Sequence, residues 1–147
     1  MAMLSLDNPT FERFAFYSGV AIGKTLLMSA LTVRSRLTNK IFSNPEDVAG
    51  FGGKEIIGDE RVERIRRCHQ NDIENVFPFV LVGSFYVATN PDPWWAAVLF
   101  RTFVISRCLH TVCYLTPVPQ PSRFLACMTG WGVTAVMAAL VIRAGRV

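Results

Sequence analysis

The chain has 147 residues, 51% of them hydrophobic and 18% charged, with a formal net charge of +4. Its mean hydropathy of +0.32 is high for a water-soluble domain, where apolar usage of ~45–50% is ordinary even with glycine counted. Cys68, Cys108, Cys113 and Cys127 form no CxxC pair and no spaced Cys/His set, which argues against a metal site or a disulfide framework. The basic residues are dispersed over loops and helix ends, which favours a lipid surface over nucleic acid.

The N-terminal stretch from Met1 to Pro9 has no basic n-region, so no cleavable signal peptide is expected. Asn8-Pro9-Thr10 is a helix start. The apolar segment 11–33 that follows is long enough for a membrane span. Lys24 lies inside it, either paired within a bundle or contacting a site. Residues 34–61 read as a polar connection, with a turn or cap at Asn44-Pro45-Glu46-Asp47 and a Gly50-Phe51-Gly52-Gly53 break. Asp59, Glu60 and Glu63 then restart a helix with acids in its first turn.

The second span, 62–89, begins dense with charge and turns apolar without a loop signal. At 3.6 residues per turn, Arg67, Asn71, Glu74 and Pro78 share one face. Ionisable groups carried into an apolar layer are costly unless they meet partners or water, so this face marks a site. Pro78 is a candidate kink. Cys68, set among arginines, is a candidate redox-sensitive thiol, and the other cysteines read as small buried hydrophobes.

Asn90-Pro91-Asp92-Pro93 ends that helix. The third span, 94–115, opens on Trp94-Trp95, placed as interfacial aromatics. It carries Arg101, and it sets Arg107, His110, Thr111 and Tyr114 on one face. After the proline-broken stretch from Thr116 to Pro121, the fourth span, 123–143, starts at Arg123. It contains Gly130 and Gly132, which permit close helix approach, and Arg143 and Arg146 close the chain. The expectation is a single domain, 1–147: an all-α membrane protein built as a four-transmembrane-helix bundle. Eight basic residues lie between Arg34 and Arg67 and none between Asn90 and Pro93. The positive-inside rule therefore puts the 34–61 loop in the cytosol and both termini in the lumen. Arg36, Arg67, Arg107 and Arg123 then converge on the cytosolic half. Asp72 and Glu74 cannot neutralise all four, and the excess positive charge suggests an anionic ligand.

At these residues the chain is similar to a known family. Val62-Glu63-Arg64, Arg67-x-His69-x-Asn71-Asp72-x-Glu74-Asn75-x-x-Pro78-Phe79, Phe42-x-Asn44-Pro45-Glu46-Asp47, Arg107-x-x-His110-Thr111-x-x-Tyr114-Leu115 and Thr116-Pro117-x-Pro119-Gln120-Pro121-x-Arg123 resemble the signature of the MAPEG family, the membrane-associated proteins in eicosanoid and glutathione metabolism. The resemblance covers nearly the whole chain from Arg36 onward. It implies a homotrimer of four-helix protomers with glutathione, as co-substrate, bound between adjacent subunits on the cytosolic side. By motif match, Arg36, Arg67, His69, Asn71, Glu74, Arg107, His110 and Tyr114 would hold glutathione. Arg123 would sit by the sulfur as the catalytic residue. The implied activity is a glutathione transferase with peroxidase activity, acting on hydrophobic electrophiles and lipid hydroperoxides in the endoplasmic reticulum membrane or the mitochondrial outer membrane.

The same family includes a prostaglandin E synthase and a non-catalytic scaffold, which are the alternatives. Phe124 stands where the family's prostaglandin synthase has a serine, Cys127 where it has a tyrosine and Gln70 where it has an arginine. These departures weaken the prostaglandin synthase reading and leave the transferase reading intact, and the presence of Arg123 argues against a scaffold. Val48 stands where mammalian transferases of the family have a thiol-reactive cysteine, so activation by thiol modification is not expected.

Overall fold

A computed structural model describes residues 4–56 and 58–145; Met1, Ala2, Met3 and Arg146 lie outside the described residues. The order of elements is α1 (Pro9–Asn39), β1 (Ile41–Phe42), α2 (Pro45–Phe51), β2 (Lys54–Glu55), α3 (Glu60–Ala88), α4 (Pro93–Leu115) and α5 (Ser122–Ala144). The helix starts are chemically marked. Asn8 accepts from the Thr10 amide at 3.0 Å ahead of Pro9. Asp59 accepts from the amides of Arg61 and Val62 at 3.1 and 3.4 Å. Asp92 accepts from Trp94 and Trp95 at 3.0 Å each, ahead of Pro93. Each cap satisfies first-turn donors that have no partner inside the helix.

Helices α1, α4 and α5 are long and apolar enough to cross a membrane. At 29 residues, α3 is of similar length, but its first half carries the charges from Glu60 to Glu74 and only its second half is apolar. It runs unbroken through Pro78. Five helices are present among the described residues, four long and one (α2) short; three of them qualify as spans by length and composition, so the expected count of four spans is not established. The stretch 34–61 is also less of a loop than its sequence suggests. α1 continues to Asn39, and β1 and β2 pair in parallel with Ile41 opposite Lys54 and Phe42 opposite Glu55. Phe42 stacks on Phe51 of α2 with ring centroids 5.8 Å apart. Two-residue ladders leave no periodicity in a sequence, so nothing marked this one.

The long helices close into a square in which α1 packs on α3, α3 on α5, α5 on α4 and α4 on α1. The core between them is aromatic. Phe79 of α3 stacks on Phe103 of α4 at a centroid distance of 3.8 Å, and Phe14, Phe100 and Tyr86 surround the pair. Lipid is as apolar as these rings, so helix association in a membrane rests on close packing and not on hydrophobic exclusion. Gly83 shows this: a Cβ there would overlap the Phe14 ring, so its absence lets α1 lie against α3. Gly83→Ala is expected to destabilise the protein by about 1–3 kcal/mol, the usual range for overpacking, as read by thermal unfolding in detergent. At the α4–α5 contact, a Cβ on Gly130 would lie 2.8 Å from Ser106 Oγ, whereas Gly132 faces open space. Of the two expected approach points, only Gly130 is one.

Candidate active site

The end of α1, the start of α3, the end of α4 and the start of α5 lie together. Arg61 Nη1 donates to Asn39 Oδ1 at 3.1 Å, and Arg64 Nη1 donates to the Tyr114 carbonyl at 3.4 Å. Into this end project most of the residues named from sequence. Asn71 Oδ1 accepts from Arg107 Nη2 at 2.6 Å. The same nitrogen lies 3.1 Å from His110 Nδ1. The His110 and Tyr114 rings are 5.5 Å apart, and the Arg123 guanidinium sits 4.6 Å over the Tyr114 ring. Arg67 reaches the Tyr114 side chain as well as Glu60. Asn71, Arg107, His110, Tyr114, Arg123 and Arg67 therefore form one contiguous chain across three helices.

Three residues stand apart within the single chain. Arg36 donates to Ser43 Oγ at 2.7 Å. His69 makes no hydrogen bond or ion pair among the described residues. Glu74 is exposed and accepts from Gln70 at 3.3 Å. It also lines a cleft of about 210 Å³ between α3 and α5 with Asn75, Pro78, Trp131 and Thr134.

Beneath the chain of contacts lies a buried ionic cluster that sequence reasoning only half found. Asp72 is 0% exposed and Arg107 is 1% exposed, and they pair at 3.0 Å. The second oxygen of Asp72 pairs with Lys24 of α1. Two cations share one carboxylate, so the cluster keeps a net positive charge within the bundle. Lys24, left open between bundle partner and site contact, is a bundle partner. Asp72, counted only as a neutralising charge, is the hub. The signal for it was present: a lysine inside an apolar span requires an acid on a neighbouring span.

The arginines around Cys68 turn away from it, Arg66 to Glu63 at 2.9 Å and Arg67 to Glu60 at 2.8 Å. Cys68 itself is fully buried and contacts Thr111 Oγ1 at 3.7 Å. It is shielded, which disfavours the redox-sensitive alternative considered for it from sequence. Cys127 is the cysteine nearest the chain of contacts, with its Sγ 3.9 Å from both Arg107 Nη1 and Asn71 Oδ1.

At the entry to α3, the hydrogen bond from Arg61 holds the Asp59 carboxyl below its ordinary range. The hydrogen bond from Arg67 does the same for Glu60. Both folded values lie below the unfolded ones, so their contribution is complete above about pH 5 and is lost as pH falls through the folded values. The protection factors of the Arg61 and Val62 amides, which donate to Asp59, are expected to fall below that pH and to be flat above it, once the intrinsic exchange rate at each pH is divided out. A loss of protection that begins near neutrality would contradict the assignment.

The fold and this end together describe a helical protein with membrane-spanning helices and an arginine-rich cluster at one end of the bundle. The chain belongs to the MAPEG family, whose model matches residues 14–143. It is 46% identical over 143 residues to microsomal glutathione S-transferase 1 of Rattus norvegicus, covering 94% of this chain and 92% of that protein. It is 48% identical over 145 residues to the Bos taurus protein of the same name, covering 94% of each. To prostaglandin E synthase of Equus caballus it is 36% identical over 127 residues, covering 86% of this chain and 82% of that protein.

Proposed function

We propose that this chain is a membrane-bound glutathione transferase with glutathione-dependent peroxidase activity. In this reading it is a homotrimer of four-span protomers in the endoplasmic reticulum or mitochondrial outer membrane, with the 34–61 connection between α1 and α3 on the cytosolic side. The observation that carries the reading is Arg123. It is half-buried, lies over Tyr114 at the open end of the contact chain, and pairs with no carboxylate among the described residues.

Glutathione presents two carboxylates, one ammonium and one thiol. Arg36 and Arg67 suit the carboxylates, and Glu74 suits the ammonium. Arg107 acts as a positioning residue, because its guanidinium is buried and committed to Asp72, Asn71 and His110. Arg36, His69 and Glu74 remain unjoined to the contact chain in a single protomer, which supports a site closed by a neighbouring subunit.

The nucleophile is the thiolate, and a free thiol has a pKa of about 8.5. Arg123 stabilises the anion by charge and hydrogen bonding. The thiolate attacks an electrophilic carbon and expels the leaving group. With a hydroperoxide it attacks the O–O bond, giving an alcohol and a glutathione sulfenic acid, which a second glutathione converts to disulfide and water.

The test is an activity panel on detergent-purified protein with glutathione, 1-chloro-2,4-dinitrobenzene and a lipid hydroperoxide. Conjugation and peroxide reduction are expected. A second reading, a prostaglandin E synthase, is favoured by the 36% identity to such an enzyme. Robust isomerisation of prostaglandin H2 without conjugation would establish it in place of the first.

A further inference from the structure

The opposite end of the bundle carries a second pair of arginines that this site does not use. Arg13 of α1 and Arg101 of α4 line a depression of about 380 Å³ together with Tyr17, Trp94, Ala97 and Val98. The spacing explains the cavity. Arg13 and Tyr17 are one turn apart on α1, while Trp94, Ala97, Val98 and Arg101 fall at i, i+3, i+4 and i+7 on α4. Two helical stripes thus face each other.

Each guanidinium meets only a neutral partner: Arg13 Nη1 donates to the Pro93 carbonyl at 3.1 Å and Arg101 Nε to Tyr17 Oη at 3.2 Å. Neither forms an ion pair among the described residues. Asp92 has its side chain engaged by the amides of Trp94 and Trp95. Glu12 is turned about 100° around the α1 axis from Arg13. At 1.5 Å per residue, Arg13 and Arg36 are about 35 Å apart along α1, so this cavity and the site above lie at opposite ends of the bundle.

We infer that this depression binds the phosphate of an anionic phospholipid headgroup. Arg101 lies about two turns inside α4 from Trp94, below an aromatic belt, where a cation without an anion is costly. The other walls are Trp94, Ala97 and Val98, and the α4 face continues into Ile105, which is 51% exposed. A ligand that satisfies both halves has a negative head and an apolar tail. A soluble anion would use the arginines and leave the apolar wall unused. The phosphate takes the two guanidiniums, Trp94 and Tyr17 flank the glycerol, and an acyl chain follows α4 past Val98 and Ile105.

Native mass spectrometry of the purified full chain in neutral detergent tests this, with dioleoylphosphatidic acid and dioleoylphosphatidylcholine as probes. The wild type is expected to retain the phosphatidic acid preferentially. Each arginine near an anionic headgroup contributes about fivefold and the pair about thirtyfold, so the Arg13→Gln, Arg101→Gln double variant is expected to lose roughly that preference. The corresponding double lysine variant is expected to keep most of it. Arg101→Gln alone, which leaves α1 untouched, reads the fivefold step if the double variant does not fold. Retention unchanged in the glutamine variants would overturn the inference. So would displacement of the lipid by equimolar inorganic phosphate, or by oleate, which would make the ligand a soluble anion or a fatty acid carboxylate. None of these readouts depends on glutathione.

Discussion

Arg123→Ala is expected to lower kcat/KM for conjugation of 1-chloro-2,4-dinitrobenzene by about 10²–10³-fold, the usual cost of deleting a donor aimed at a developing anion, while glutathione still binds within a fewfold. The asymmetry follows from where Arg123 sits. It lies over Tyr114 at the end of the contact chain, while in the proposed site Arg36, Arg67 and Glu74 hold the rest of the tripeptide. In the proposed mechanism, losing the guanidinium removes the group that favours thiolate over thiol, and each pKa unit restored to the thiol corresponds to about 1.4 kcal/mol. Ultraviolet absorbance of the bound thiolate should fall together with turnover. Arg123→Lys keeps the charge but loses the flat face that rests on the ring, so partial recovery is expected. Turnover unchanged in Arg123→Ala would remove the residue from the chemistry.

Asp72→Ala should be the most damaging single substitution for the fold. It strands Lys24 and Arg107, whose side chains are 13% and 1% exposed, with no carboxylate between them. Removing one partner of a buried ion pair costs about 3–5 kcal/mol, because a buried charge is left uncompensated. Denaturant titration in mixed micelles measures this. Arg66→Ala is the control: it removes an ion pair whose arginine is 62% exposed, and pairs of that kind contribute about 0–1 kcal/mol. Equal effects from the two substitutions would mean that the cluster does not hold the bundle together. Asp72→Ala is also expected to depress activity, since Arg107 holds Asn71 and His110 in place.

Much of this architecture was legible in the sequence for local reasons. Asn8-Pro9 announces a helix start and Asn90-Pro91-Asp92-Pro93 a helix end through their own side-chain chemistry. The Arg67, Asn71, Glu74, Pro78 face and the Arg107, His110, Tyr114 face follow from helical periodicity alone. What stayed hidden depends on which helices are neighbours. Asp72 lies one position from Asn71 on α3. Only the packing of α1 on one side and α4 on the other reveals that it serves Lys24 and Arg107 at once. The same ignorance of neighbours left a reactive Cys68 open as an alternative: its sequence neighbours are cations, but its side chain contacts Thr111.

The passage of α3 from charged to apolar within one unbroken helix has a consequence for measurement. In the proposed enzyme the two substrates arrive from different phases, and each is dosed by its own. Glutathione acts at its aqueous concentration, whereas an apolar electrophile acts at its concentration in lipid. Each added methylene raises that concentration about fourfold, through a transfer free energy of ~0.8 kcal/mol. A Michaelis constant quoted per volume of water would then report the partition coefficient as much as the protein. Adding empty lipid would dilute one substrate and leave the other untouched.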